Sequence, residues 1–268
     1  MPLPPPSADS TCLVTGASSG IGADVARSLA RRGRGTVLVA RRTERLQDLA
    51  EELRGQHGVR AETIACDLAD SDAREGLVRQ LEELGLTVEV LVNNAGFGSG
   101  GLFQRLDQAR ELEMVRLNVE AVVALCGRYV PEMVERGRGA VLNVASTAAF
   151  QPLPRQATYA ATKAFVLAFT DALHADLQGT GVIATSLCPG PVKTEFAQTA
   201  GIDEAASGLP EMFWTESDYV AEEAVKALER GRRVAVPGKL NQATALGGQH
   251  APRGLFLRVG SRVTPVGR

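Results

Sequence analysis

Residues 11–22, Thr11-Cys12-Leu13-Val14-Thr15-Gly16-Ala17-Ser18-Ser19-Gly20-Ile21-Gly22, run from a short apolar segment into a glycine-rich turn and straight on into a helical pattern. Such a unit sets backbone N–H groups at a helix N-terminus, where the positive end of the macrodipole favours an anion such as a pyrophosphate. Gly16, Gly20 and Gly22 lack the Cβ atoms that would block its approach, and Ser18 and Ser19 add hydroxyl donors. The spacing, GxxxGxG, is one residue looser than the GxGxxG fingerprint of dinucleotide sites. A turn of this kind also serves plain strand-to-helix connections, so its meaning depends on its surroundings.

Outward from this unit, short apolar runs alternate with longer helical patterns along the chain. Strands are expected at Thr11–Thr15, Thr36–Ala40, Glu62–Cys66, Val88–Val92, Ala140–Ala145, Val182–Leu187 and Arg233–Val236. They are continuous Val/Leu/Ile-rich runs, as in strands covered on both faces. Helical stretches fall near 21–32, 43–55, 71–84, 107–136, 157–179 and 217–230. The alternation predicts an α/β fold: a doubly wound parallel sheet of about seven strands with helices on both faces, the Rossmann arrangement. Residues 1–10, MPLPPPSADS, read as a disordered lead without the basic and apolar regions of a signal peptide. Residues 11–268 read as one domain. In such a sheet ligands bind beyond the carboxyl ends of the strands.

Composition narrows the function. The chain of 268 residues is 44% hydrophobic and 22% charged, with a formal charge of −2, which argues against a nucleic-acid binder. No apolar run reaches the roughly 18 residues of a membrane span. Cys12, Cys66, Cys126 and Cys188 show no zinc spacing, so no metal site is expected, and they read as small buried thiols of a cytoplasmic protein.

The strand ends hold the unusual residues. An NAD site usually offers Asp or Glu at the end of the second strand, and a nearby Arg accommodates the 2′-phosphate of NADP. Here that strand is followed by Arg41 and Arg42, whose guanidiniums suit phosphate by forked hydrogen bonding. The bland alternative is two solvated arginines at a helix start. Arg41 is favoured for the phosphate, with Arg42 sharing the role or pointing away, so NADP is expected over NAD. After the third strand, Asp67 can accept from an adenine amino group with Leu68 beside the ring; Asp70 and Ser71 are better placed to cap the next helix. The fourth strand ends in Asn93-Asn94-Ala95-Gly96, small and polar where backbone must approach a cofactor. Asn93 can equally tie neighbouring strand ends together.

Ser146 closes the fifth strand, and Tyr159 and Lys163, four apart, share a face of the following helix. Reduction of a carbonyl needs a proton donor for the developing alkoxide, and the reverse reaction needs a base. Tyrosine, with a reference pKa near 10, is a poor base at neutral pH unless positive charge lies beside it. Lys163 supplies that charge and can also bind the nicotinamide ribose. Ser146 can hold the substrate oxygen.

Together TGASSGIG at 15–22, NNAG at 93–96, YAATK at 159–163 and PGPVKT at 189–194 make a sequence that resembles the short-chain dehydrogenase/reductase family from about Thr11 to Val236. The resemblance implies an NAD(P)-dependent oxidoreductase acting on CH–OH groups. It implies that Asn118 completes a Ser–Tyr–Lys–Asn tetrad by holding a relay water; by itself Asn118 reads only as a helix-bending or capping residue. It also implies that Pro189, Gly190, Val192 and Thr194 line the nicotinamide side, and that the protein assembles as a homodimer or homotetramer.

Residues 195–217 lack strong periodicity, and loops this long inside compact domains are commonly functional; the family resemblance implies a substrate lid there. Phe97, Phe150, Leu153, Phe196, Met212, Phe213 and Trp214 are candidates for an apolar pocket, with polar contacts from Gln151, Arg155 and Gln156, which suggests a hydrophobic or bulky small-molecule carbonyl or alcohol as substrate. The tail, 237–268, is not required by the nucleotide fold; its Arg253–Val259 stretch fits packing on the protein or a second subunit better than a membrane surface. Two other functions use the same fold. A nucleotide-sensing protein would have no need of Tyr159 and Lys163, and a lyase or epimerase would need a larger substrate domain.

Overall fold

The apolar runs form β1 (Ser10–Thr15), β2 (Thr36–Ala40), β3 (Ala61–Ala65), β4 (Thr87–Asn93), β5 (Gly139–Val144), β6 (Val182–Leu187) and β7 (Val234–Ala235) of a parallel sheet ordered β3-β2-β1-β4-β5-β6-β7. The structure is a computed structural model and describes residues 3, 5–202, 208, 210–250, 254 and 257. The sequence-based strand positions agree to within one residue at each end. The order reverses between β1 and β4; Val14 of β1 pairs with Leu38 of β2 on one side and Val92 of β4 on the other. A parallel sheet opens a crevice at such a switch point.

Helices cover both faces, which is why the central strands are largely apolar and buried. Cys12, Val14, Leu38, Val90, Val92 and Leu142 face one core layer with α1 (Gly20–Ala30), α2 (Thr43–His57) and α8 (Ser217–Glu229). Leu13, Val37, Val39, Leu91 and Val141 face the other layer. There they meet α3 (Ser71–Glu83), α5 (Ala121–Glu135) and α6 (Ala157–Asp176). Asp70 caps α3 as expected, accepting from Asp72 N at 2.8 Å and Ala73 N at 3.2 Å.

Three features depart from the sequence-based expectation. The long helix expected over 107–136 is α4 (Gln108–Val115) joined to α5 by a π-helical turn, Arg116–Glu120, with Asn118 inside it. The lead includes Leu3, which packs into the first core layer, and Ser10, already in β1. The tail carries a further helix, α9 (Lys239–His250), whose Asn241 and Ala245 are buried. Most of the Arg253–Val259 stretch lies outside the described residues.

A buried polar tie links the two central strands to the helices behind them. Asn93 Nδ2 donates to Asn143 Oδ1 at 2.8 Å, and Asn143 Nδ2 donates to Thr170 Oγ1 at 2.9 Å. Asn143 and Thr170 are fully buried, and Asn93 nearly so. Removing one partner leaves a buried amide unsatisfied, at a cost of about 1–3 kcal/mol. Asn143→Ala should therefore lower unfolding stability by about that amount; an unchanged denaturation midpoint would overturn the tie's structural role.

Candidate active site

The glycine-rich turn is built by what its glycines leave out. Gly16 has φ +65°, and a Cβ there would lie 2.7 Å from Asn94 Nδ2. At Gly22 a Cβ would lie 2.4 Å from both Asn94 Nδ2 and Gly16 O. The space lets the Asn94 carboxamide donate to Thr15 O at 3.0 Å and Gly16 O at 3.2 Å. Thr15 Oγ1 donates to Val92 O and accepts from Asn94 N and Ala95 N, all at 3.0–3.1 Å. The first turn of α1 follows Ser19, whose side chain makes no capping hydrogen bond. Its N–H groups and the serine hydroxyls form a donor set that fits a pyrophosphate.

Both arginines stand beside this turn. Arg42 donates through Nε and Nη2 to Ser18 Oγ at 3.1 and 2.9 Å, and through Nη2 to Ser19 Oγ at 2.7 Å. Arg41 Nη1 lies 3.3 Å from Glu113 Oε1 and 3.9 Å from Asp67 Oδ2. Asp67 also accepts from Ala69 N at 3.0 Å. The arrangement of Arg41, Asp67 and the turn along one edge fits the adenosine end of a dinucleotide. Two expected contacts are corrected. Leu68 is 3% exposed and packs in the second core layer rather than beside a ring. The Asn93 amide lies inside the protein, on Asn143 and Cys126, in the tying role.

At the other end of the crevice four side chains converge. Ser146, Tyr159, Lys163 and Asn118 are all buried. Lys163 Nζ donates to Val144 O at 2.7 Å, and lies 5.9 Å from the Tyr159 ring centre. Ser146 Oγ accepts from Ala148 N at 3.1 Å. Gly96 lies between Asn118 and Lys163: a Cβ there would sit 2.9 Å from Asn118 Oδ1 and 3.6 Å from Lys163 Nζ. Asn118 Nδ2 donates to Phe97 O at 2.9 Å and Thr162 Oγ1 at 3.1 Å, while its Oδ1 accepts from Phe97 N at 3.2 Å. The asparagine thus sews the π turn to the 96–97 loop and to α6. Single π turns inside α-helices recur at functional sites.

Burial sets the charges of this cluster. Desolvation pushes the Tyr159 phenol up to about 12, against the opposing effect of a Ser146 hydrogen bond. Desolvation also pushes the Lys163 ammonium down to about 8. At neutral pH Tyr159 holds its proton and Lys163 is largely charged.

The PGPVKT turn completes the wall. Lys193 N donates to Thr215 O at 3.1 Å and Thr215 N to Pro191 O at 3.0 Å, a short parallel bridge that pins Val192. Pro189 O accepts from Thr147 N at 2.9 Å. Thr194 stands over Gly20, where a Cβ would lie 2.9 Å from its Cγ2. Gly190 leaves room for Asn241 of α9, whose Oδ1 is 2.3 Å from the position of a Cβ there. Sequence reasoning treated the tail as dispensable to the fold and missed this contact; the buried Asn241 close to Pro237-Gly238 was its signal.

Of the candidate pocket residues, the structure brings together Phe97, Leu153 and Phe196 around Tyr159. Phe196 opens α7 (Phe196–Ala200), and its ring centre is 5.4 Å from that of Tyr159. Its tip fits where Gly98 has no Cβ, 2.9 Å from that position. Phe150 packs in the second core layer instead, and Met212 is 72% exposed because its 3-10 turn lies on the surface. Gln156 Nε2 donates weakly to Ser99 O at 3.5 Å, and Gln151 packs against Gly248 of α9. Arg110, missed in the sequence, lies over the Phe97 ring at 4.9 Å and donates to Thr199 O at 2.6 Å. All four cysteines are buried free thiols, and among the described residues no cluster suits a metal ion. Nor is any helix of those residues long and apolar enough to cross a membrane.

The short chain dehydrogenase family profile matches residues 10–205. Sulfoacetaldehyde reductase 2 of Chromohalobacter salexigens is 40% identical over 198 residues, 73% of this chain and 78% of that protein. An uncharacterized oxidoreductase of Myxococcus xanthus is 36% identical over 237 residues, 88% of this chain and 90% of that protein. Among solved structures, a short-chain dehydrogenase from Sphingobium yanoikuyae in complex with NADPH is 32% identical with a TM-score of 0.80, covering 97% of this chain and 98% of that one. With the doubly wound sheet and its furnished crevice, these likenesses establish that the chain belongs to the short-chain dehydrogenase/reductase family of NAD(P)-dependent oxidoreductases.

Proposed function

We propose that the protein is an NADP-dependent carbonyl reductase or secondary-alcohol dehydrogenase in which Ser146, Tyr159, Lys163 and Asn118 act together. The observation that carries this reading is the convergence of these four buried side chains beside an apolar wall at one end of the crevice. When bound, the dinucleotide supplies the hydride in reduction and accepts it in oxidation. Tyr159 Oη gives its proton to the carbonyl oxygen as negative charge develops there. The Ser146 hydroxyl holds that oxygen in place. Lys163 is fixed by Val144 O; its ammonium binds ribose hydroxyls and stabilises the phenolate that Tyr159 becomes. A π turn skips one helical hydrogen bond, and the carbonyl freed near Asn118 is the group to hold a relay water between Lys163 and solvent.

The phosphate turn of Gly16, Ser18, Ser19, Gly20, Ile21 and Gly22 would hold the pyrophosphate, with Arg41 and Arg42 taking the 2′-phosphate. Asp67, Ala95 and Gly96 would border the adenosine and ribose, and Pro189, Gly190, Val192 and Thr194 the nicotinamide. The absence of a carboxylate at the end of β2 supports NADP over NAD. Phe97, Leu153 and Phe196 support an apolar carbonyl or alcohol as substrate. Leu112, Val115, Val123 and Phe165 are exposed apolar residues on α4, α5 and α6, which supports assembly as a homodimer or homotetramer. Four free buried thiols support a cytoplasmic location.

NADPH oxidation with a panel of ketones and aldehydes tests the activity. Tyr159→Phe should abolish turnover and leave NADPH affinity nearly intact; retained turnover would refute the acid role. Arg41→Ala should weaken NADPH far more than NADH in fluorescence titration, and equal weakening of both would remove the basis for NADP preference. The pH profile of kcat/KM for reduction reports the free enzyme. Reduction uses the Lys163 ammonium, which is lost as pH rises through about 8, and the Tyr159 proton, which is retained to about 12. The rate should therefore be level near neutrality and fall from about pH 8 upward. A profile flat to pH 10 would refute the charged role of Lys163.

A further inference from the structure

Glu195 follows the PGPVKT turn and stands at the N-cap of α7, the helix that holds Phe196 against Tyr159. Its two carboxylate oxygens are divided between two arginines: Oε2 accepts from Arg42 Nη1 at 2.8 Å, and Oε1 from Arg45 Nη1 at 2.6 Å. Arg42 turns its remaining donors, Nε and Nη2, toward the hydroxyls of Ser18 and Ser19. One guanidinium thus joins the phosphate turn to a carboxylate 153 residues further along the chain. The two guanidiniums hold the Glu195 carboxyl down at about 2, so it is ionised throughout the working range.

Carboxylate and phosphate are recognised by the same guanidinium fork. A 2′-phosphate arriving at Arg42 meets donors already bonded to Glu195. A dinucleotide without that phosphate leaves the pair alone. Both partners are partly exposed, with side chains 45% and 43% accessible, and such pairs are weak enough to exchange. Arg45 keeps its hold on Oε1 while Arg42 changes partner, so Glu195 is not left unpaired.

Resting on the reading of Arg42 as a ligand of the NADP 2′-phosphate, we propose that Glu195 is a specificity-determining residue: an internal carboxylate that competes with the 2′-phosphate for Arg42 and sets how strongly NADPH is preferred over NADH. The position of the competitor matters. Because Glu195 stands at the start of α7, the exchange trades one of its two arginine contacts, beside the segment that holds Phe196 against Tyr159, for the cofactor phosphate. Cofactor choice and the substrate wall are coupled through a single guanidinium.

The test is equilibrium binding without turnover. NADPH and NADH are titrated by nicotinamide fluorescence into the unsubstituted protein, Glu195→Gln, Arg42→Ala and the double variant. Adenosine 2′,5′-bisphosphate serves as a competing probe of the phosphate end. Glu195→Gln should tighten NADPH and the bisphosphate about two- to fivefold, the range that a weak exposed ion pair carries. It should leave NADH unchanged, and the gain should shrink at high salt. In the Arg42→Ala background the same substitution should do nothing. Equal tightening of NADH, a loss of NADPH affinity, or a gain that survives removal of Arg42 would each overturn the proposal. If the unsubstituted protein shows no preference for NADPH, the cofactor reading falls and this inference with it. A preference that Glu195→Gln leaves unaltered overturns this inference alone.

Discussion

The contact on which the site rests is that of the Asn94 carboxamide with the backbone of Thr15 and Gly16. It joins the carboxyl ends of β1 and β4, the pair of strands between which the sheet order reverses. Strands at a switch point diverge, because their following helices lie on opposite faces. Something must hold the two ends in register while leaving the crevice open. Here a side-chain amide does so, and only because Gly16 and Gly22 present no Cβ in its way. The glycines of the turn therefore admit the brace that shapes it. Thr15 reinforces it by satisfying the N–H groups of Asn94 and Ala95.

From that brace the site extends in two directions by different physics. Around Arg41, Arg42 and Asp67 the side chains are exposed and charged. Around Tyr159 and Lys163 they are buried, and desolvation governs protonation. Burial keeps the Tyr159 proton on and loosens that of Lys163. The hydrogen bond from Lys163 to Val144 O gives the ammonium one fixed acceptor in a place where an unpaired charge would be costly. The π turn places Asn118 between the 96–97 loop and α6, so that its side chain ties turn, loop and helix together.

What the sequence made legible was local or periodic. Strands buried on both faces read as continuous apolar runs, and Tyr159 and Lys163 share a face because four residues make about one helical turn. The turn at 15–22 and the arginines after β2 each lie within one strand–helix junction. The unread part depended on distance along the chain. Nothing near Asn118 signals a π turn, since its partners Phe97 and Thr162 come from two other segments. The seat of Phe196 is the missing side chain of Gly98, and the partner of Arg42 is Glu195. Leu68 was misread because an apolar residue after a strand has the same local pattern whether it faces a ring or the core. Phe150 and Met212 were grouped with the pocket on composition, which carries no direction.

Asn241 presses its carboxamide into the space left by Gly190, and Gly248 of the same helix makes room for Gln151. The PGPVKT turn is thus buttressed by α9, whereas the glycine-rich turn is supported from the end of β4, and that turn and its support lie within residues 15–95. During synthesis the two halves of the crevice mature at different times. The glycine-rich turn has all its parts long before the ribosome reaches α9, and the turn at 189–194 acquires its backing only once α9 is made. A nascent chain would thus hold the brace at one side of the crevice before the other side has its backing.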